Sequence, residues 1–251
     1  MAQSAEEAGT SEQQQPQPQQ QQPQQQPHQR RQKNLAGGRF GSRRLLLFVT
    51  VLVIELTIFF LAMAIPMDAT QQMSSYTQWQ QIVQSVKGQG PLDEFSGIFL
   101  NNVRIALIEA VPFVGPVFLG YSLFYSGEVV QALAVLSPTP VPPLILGAVL
   151  FLLPHSLVEF TGYAVSVTAG VMLIWAGIKK RLRIEIRVYA KEVLVAVGVL
   201  LVAAATETSL DVYPDLAFAL WVPIIIGIVV IWVWLRRAHT RQGQVAPTVP
   251  L

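Results

Sequence analysis

The run "LLLFVTVLVIELTIFFLAMAIP", residues 45–66, limits this chain more than any other stretch. Hydrocarbon offers a backbone no hydrogen bonds, so a spanning segment must satisfy its own amides, and a helix needs about 20 apolar residues to cross a layer roughly 30 Å thick. The run meets that length and exceeds the apolar core of a cleavable signal peptide, so it is expected to remain as an anchor. Six basic residues, Arg30, Arg31, Lys33, Arg39, Arg43 and Arg44, stand just before it. Such residues mark the cytoplasmic end of a membrane helix and can also touch anionic headgroups, which assigns the N-terminus to the cytoplasm.

The remaining composition agrees with several crossings in one membrane domain. Hydrophobic residues make up 52% of the chain and charged ones 13%, and the apolar residues gather in runs. The formal charge of +2 is concentrated at the ends of those runs, which is how topology is written, so nucleic acid is not an expected partner. No cysteine is present, which excludes disulfide and thiolate chemistry without identifying a compartment.

Before the first crossing, "EQQQPQPQQQQPQQQPHQRRQ" has almost nothing apolar to bury and recurrent prolines. Residues 1–42 are therefore expected to be a disordered, Gln/Pro-rich basic tail, with His28 as one more polar residue in it. After the crossing, Met73, Tyr76, Trp79, Ile82, Val83 and Val86 recur at helical spacing among glutamines. That pattern fits a short helix lying on the outer surface or docked on the other helices, and the spacing leaves the choice open.

Near the other end, "KKRLRIEIRVYAK" (residues 179–191) is basic and "TETSLDVYPDL" (residues 206–216) is acidic, so the first is expected inside and the second outside. Residues 192–207 and 217–235 then make a down-and-up pair ending at Arg236, Arg237 and Arg241, with residues 238–251 as a short cytoplasmic tail in which His239 has no assigned role. Leu182, Ile184, Ile186 and Val188 alternate like a strand, but beside two helices they are better read as an interfacial helix extension. Residue 67 outside and residue 179 inside require an odd number of crossings between them. Three is the natural count, the last being residues 155–178, where Gly162, Ala164, Ser166, Ala169 and Gly170 allow close helix approach. The other two share residues 98–153, interrupted by Pro112, Pro116 and "SPTPVPP", so broken or re-entrant helices are expected at the centre of the bundle. The expected fold is an all-α polytopic membrane protein of about six crossings, with residues 43–237 as the membrane domain and both termini cytoplasmic.

The costly side chains fall in this domain: Glu55 in the first crossing, then Asn101, Asn102, Arg104, Glu109, Glu128, His155 and Glu159. A charge at mid-membrane costs a few kcal/mol unless it is neutralised, paired or wetted, so these groups are expected to face protein, and Glu55, Asn101, Asn102, Arg104, Glu109, His155 and Glu159 to form an intramembrane polar network. Asn102 and Glu109 share a helix face; Arg104 points elsewhere, and its expected partner is Glu55 or Glu159. His155 and Glu159 share another face, with Pro154 suited to the first helical turn. A catalytic zinc needs about three protein ligands and a base. One histidine and no thiol make a poor set, so no metal, cofactor or catalytic residue is expected. The glycines of "GGRFG" and "GQG" lack the strand and lysine of a phosphate cradle.

In order and spacing, "IFLNNVRIAL", "FVGPVFLGYSLFYSG" and "PHSLVEFTGYAVSVTAG" resemble the stage II sporulation protein M family of integral membrane proteins, over residues 45–235. Its motifs are an asparagine pair after an apolar aromatic, an asparagine-glycine turn, and a proline-histidine-glycine element followed by a glutamate. The chain keeps Asn101, Asn102, Pro154, His155 and Glu159, but has Ser126 before Gly127 and Ser156 after His155, as a distant member would. In spore-formers the resemblance implies anchoring of a cell-wall hydrolase complex during engulfment, while relatives also occur where no spores are made. The expectation is a non-catalytic scaffold in the cell membrane, in contact with lipid, with other membrane or envelope proteins and with a second copy of itself. The alternatives are a transporter or channel lined by the intramembrane acids, or an intramembrane metal-dependent hydrolase using His155.

Overall fold

The computed structural model describes residues 27–86, 90–216 and 218–226, with side chains from Arg43 onward. Among these residues all regular structure is helical: α1 (Pro27–Ala64), α2 (Ala69–Val86), α3 (Pro91–Glu109), α4 (Val114–Leu136), α5 (Pro143–Phe151), α6 (Pro154–Ile178) and α7 (Leu182–Val212). A single 3-10 turn follows at Pro214–Leu216, and residues 218–226 are helical again. Proline opens α3, α5 and α6 at the first helical position, where its missing amide hydrogen costs nothing.

Among the described residues, four helices are long and apolar enough to cross a membrane: Arg43–Ala64 within α1, then α4, α6 and α7. The expected crossings at residues 45–66 and 155–178 coincide with the first and third of these. The strand-like alternation at residues 182–188 is the opening of α7, which runs through the expected residues 192–207 without a break. α1 begins at Pro27, so helix covers the basic part of the expected tail, while residues 1–26 lie outside the described residues. Most of the expected crossing at residues 217–235, and both chain termini, also lie outside them.

Residues 98–153, where two crossings were expected, divide into one long helix and two shorter ones. α4 has spanning length; α5, with nine residues, reaches only about 14 Å. α3 carries Asp93, Glu94, Asn101, Asn102 and Arg104 and is not among the four candidates. The breaks satisfy their own amides, as irregular backbone inside a bundle must. Between α3 and α4, Phe113 adopts a left-handed φ of 66°, and the Gly115 N–H donates to the Val111 carbonyl at 2.8 Å. Only glycine fits at 115, since a Cβ there would lie 1.7 Å from the Glu109 carbonyl oxygen. Between α5 and α6, the Ser156 hydroxyl donates to the Leu150 carbonyl at 2.8 Å.

α6 lies at the centre and shares its most extensive contact with α7. Gly162, Ala164, Ser166, Ala169 and Gly170 are all buried, which is how small residues bring membrane helices together. A Cβ at Gly170 would come within 2.6 Å of the Ala110 carbonyl oxygen, so the α3–α4 break is seated on α6 at that point. A Cβ at Gly127 would meet the Ala62 Cβ at 2.5 Å and the Phe59 carbonyl at 2.7 Å, placing α4 directly on α1. Phe59, Phe60, Phe151 and Phe160 pack edge to face and tie α1, α5 and α6 together. α2 packs on α4 through its polar side, with Ser75 buried and the Tyr125 hydroxyl donating to the Gln78 side-chain oxygen at 3.0 Å, while Met73 and Ile82 of the apolar stripe are exposed.

Candidate intramembrane polar site

Helical periodicity carries Glu55 inward. Among the described side chains of α1, from Arg43 onward, the buried positions are Val51, Glu55, Phe59, Ala62 and Met63, spaced by about one turn, while Val49, Val53, Ile54 and Leu61 are exposed. α3 repeats the pattern with Ile98, Asn102, Ala106 and Glu109 as its buried stripe. Glu55 and Glu109 are both 0% exposed, so the two stripes that face the bundle each carry a carboxyl group into it.

Around these stripes the polar groups form two tiers. In the first, the Asn102 amide of α3 donates to Glu159 of α6 at 2.5 Å, and Glu159 shares a side-chain hydrogen bond with Glu207 of α7. His155, one turn earlier on α6, is half-buried, its Nδ1 lacks a hydrogen-bond partner, and it interacts electrostatically with Asp211 of α7. The second tier is Glu55 with Glu109, which feel each other's charge. Ser122 of α4 donates to Glu109 Oε1 at 3.3 Å. Both carboxyl oxygens of Glu55 and Oε2 of Glu109 have no hydrogen-bond partner. Tyr163 of α6 is buried and lies within the electrostatic reach of Glu159, Glu109, Glu207 and Glu55.

Of the seven residues expected in the network, Glu55, Asn102 and Glu109 are buried and His155 and Glu159 are half-buried, whereas Asn101 and Arg104 are exposed. Asn101 reaches only its neighbour, the Asn102 side-chain oxygen, at 3.5 Å. The expected pairing of Arg104 with Glu55 or Glu159 does not occur: among the described residues Arg104 makes no ion pair, and Glu159 takes the Asn102 amide instead. Two positions along a helix turn a side chain by about 200°, so the register that buries Asn102 sends Arg104 outward.

Sequence reasoning missed three groups. Arg44, counted only as a topology mark, is bound by Glu185 and Glu192 of α7, one guanidinium nitrogen to each. The available signal was the spacing of those two acids, seven apart and therefore on one helix face. Glu207 was placed among outer-loop acids, but α7 continues to Val212 and carries it to Glu159. Tyr163 had no sequence signal beyond its place in a small-residue helix. Among the described residues, no group of three or more His, Asp or Glu side chains is placed to hold a metal ion.

The inward-turned motifs are also those that carry the family resemblance, and a family model described as stage II sporulation protein M matches residues 44–210. The chain belongs to the stage II sporulation protein M family. Nothing matches it among curated proteins or among solved structures. Seen as parts of a stage II sporulation protein M fold, the separate motifs meet in space. The asparagine motif and the proline-histidine motif join through the bond from Asn102 to Glu159, and the glycine of the serine-glycine motif, Gly127, is the contact of α4 with α1. Ser156 has a local role of its own as the cap on the Leu150 carbonyl.

Proposed function

We propose that this stage II sporulation protein M family member is a non-catalytic subunit of the cell membrane that anchors partner proteins, with about six crossings and both termini in the cytoplasm. The observation that supports this reading is that side-chain bonds join helices distant in sequence. Arg44 ties α1 to α7, Asn102 ties α3 to α6, Gln131 donates to the Ile65 carbonyl at 2.9 Å, and the Tyr189 hydroxyl donates to the Ala110 carbonyl at 3.2 Å. Such cross-ties suit a body that holds one shape for others to dock on. Photo-crosslinkers at exposed Met73 and Ile82 of α2, introduced into native membranes, should yield discrete adducts to a defined second polypeptide. Adducts to lipid alone would remove the anchoring role. The absence of cysteine makes single-cysteine labelling a clean test of topology, and termini reactive from opposite sides would refute the crossing count.

A second reading, transport along a polar path, is favoured by the two groups of intramembrane acids, all within the electrostatic reach of buried Tyr163. It requires solute or ion flux in proteoliposomes that Glu159→Gln abolishes. Flux indifferent to that substitution would count against it.

A further inference from the structure

We propose that the cleft between α2 and α4 is a binding site for a small organic ammonium group, carried either by the head of an amine-bearing lipid or by a free amine. The cleft has a volume of about 500 Å³, which lies within the size range of ligand sites. One wall comes from α4, where Tyr121, Phe124, Tyr125 and Glu128 follow one another at the three- and four-residue spacing of a single helix face. The other comes from α2, whose Gln71, Ser74 and Gln78 bring amides and a hydroxyl. The Tyr125 hydroxyl donates to Gln78 Oε1 at 3.0 Å and so joins the two walls. Met67, just past the Arg43–Ala64 span, also lines the cleft, and Gln131, on the turn after Glu128, donates to the Ile65 carbonyl at 2.9 Å. The site therefore lies where that span ends, at the end opposite Arg44, which is the level of lipid headgroups for a helix that crosses a membrane.

The lining selects the ligand. It holds one carboxylate, that of Glu128, and no base, and Glu128 takes part in no ion pair among the described residues. Aromatic rings attract a cation over their faces, so three aromatic side chains and an unpaired acid on one helix face all favour a positive charge, the combination that aromatic cages use for quaternary ammonium groups. A metal ion would use only the oxygens of such a site, leaving the rings and Met67 without a role and most of the volume unfilled. An alkylammonium fills it, with its carbon atoms against the rings and its charge toward Glu128. A neutral ligand such as a sugar would stack on the rings and leave the negative charge of Glu128 unanswered. An aromatic belt at a membrane face accounts for tyrosines at this level but not for an acid set among them. The site is independent of the anchoring and transport readings, since none of its lining residues belongs to the two groups of intramembrane acids.

The test uses the full chain in phosphatidylglycerol nanodiscs, which contain no amine, and has two arms. In the first, choline and ethanolamine are titrated at fixed ionic strength and binding is read by calorimetry, with the alcohol in which carbon replaces the choline nitrogen as an uncharged match. In the second, phosphatidylethanolamine is mixed into the discs in equal share, and the lipid kept by the protein is read by native mass spectrometry. Saturable binding in the first arm, weakened by about tenfold or more in Glu128→Gln and several-fold in Tyr121→Leu but kept in Asp93→Asn, supports the site with a free amine as ligand. Preferential retention of phosphatidylethanolamine, lost in the same two variants and kept in Asp93→Asn, supports it with a lipid head as ligand. Tyr121 is 67% exposed, so its replacement tests the ring without disturbing the bundle. The proposal is overturned if neither arm gives a signal, if the uncharged alcohol binds as well as choline, if the signal persists unchanged in Glu128→Gln or in Tyr121→Leu, or if it falls equally in Asp93→Asn.

Discussion

Arg44 supplies the sharpest measure of how the bundle is held. Its guanidinium bridges two carboxylates of α7, a geometry a planar fork provides and an ammonium does not. The Glu185 side chain is 4% exposed, Glu192 25% and Arg44 itself 15%, so one branch is close to a buried ion pair and the other nearer to a surface pair. Removing one partner of a buried pair costs about 3–5 kcal/mol because a charge is left without compensation, while an exposed pair is worth ~0–1 kcal/mol. Arg44→Gln should therefore destabilise the protein by about 2–4 kcal/mol, most of it through Glu185, and Glu192→Gln by about 1 kcal/mol. Arg44→Lys should fall between, keeping the charge but serving one carboxylate at a time. The triple variant Arg44→Gln, Glu185→Gln, Glu192→Gln removes every charge at once and should return to within about 1 kcal/mol of wild type, since neutral amides can bond to one another. Equilibrium unfolding in mixed micelles across this set gives the coupling energies directly. If Arg44→Gln lies within 0.5 kcal/mol of wild type by that assay, or the triple variant is no more stable than the single one, the ion pair is not what joins α1 to α7.

The remaining predictions concern packing and the first tier. Gly170→Ala places a methyl 2.6 Å from the Ala110 carbonyl oxygen, and reaching a tolerable C···O separation needs a shift of roughly 0.7 Å, with an overpacking cost of about 1–3 kcal/mol. Gly198→Ala, with open space at its Cβ, should be neutral in the same melts and serves as the control. Asn102→Leu removes the amide that Glu159 accepts from and should cost about 2–3 kcal/mol, whereas Asn101→Leu, exposed on the same helix, should change stability little. Equal effects at the two asparagines would refute the assignment of Asn102 alone to the core.

The α1 and α3 stripes show how much of the site was legible in advance. Sequence placed Glu55 inside a crossing, and periodicity paired Asn102 with Glu109 on one face and His155 with Glu159 on another; the structure keeps both pairs. Partners were not legible. Arg104 was nearest in sequence to the acids and pairs with none of them, while Arg44 and Glu185, 141 residues apart, are joined. Chain breaks were visible as prolines and glycines, yet not that the residues between 98 and 153 would divide into α4 with spanning length and the shorter α3 and α5.

By itself the sequence determined what hydrocarbon demands: helices, their apolar lengths, and an inward place for rare acids, because these follow from the chain's own spacing and from solvation. Which helices touch, and so which acid meets an amide, an arginine or another acid, was decided by the close approaches at Gly127, Gly162 and Gly170. Those contacts depend on the relative register of helices far apart in the chain, a quantity that no local pattern contains.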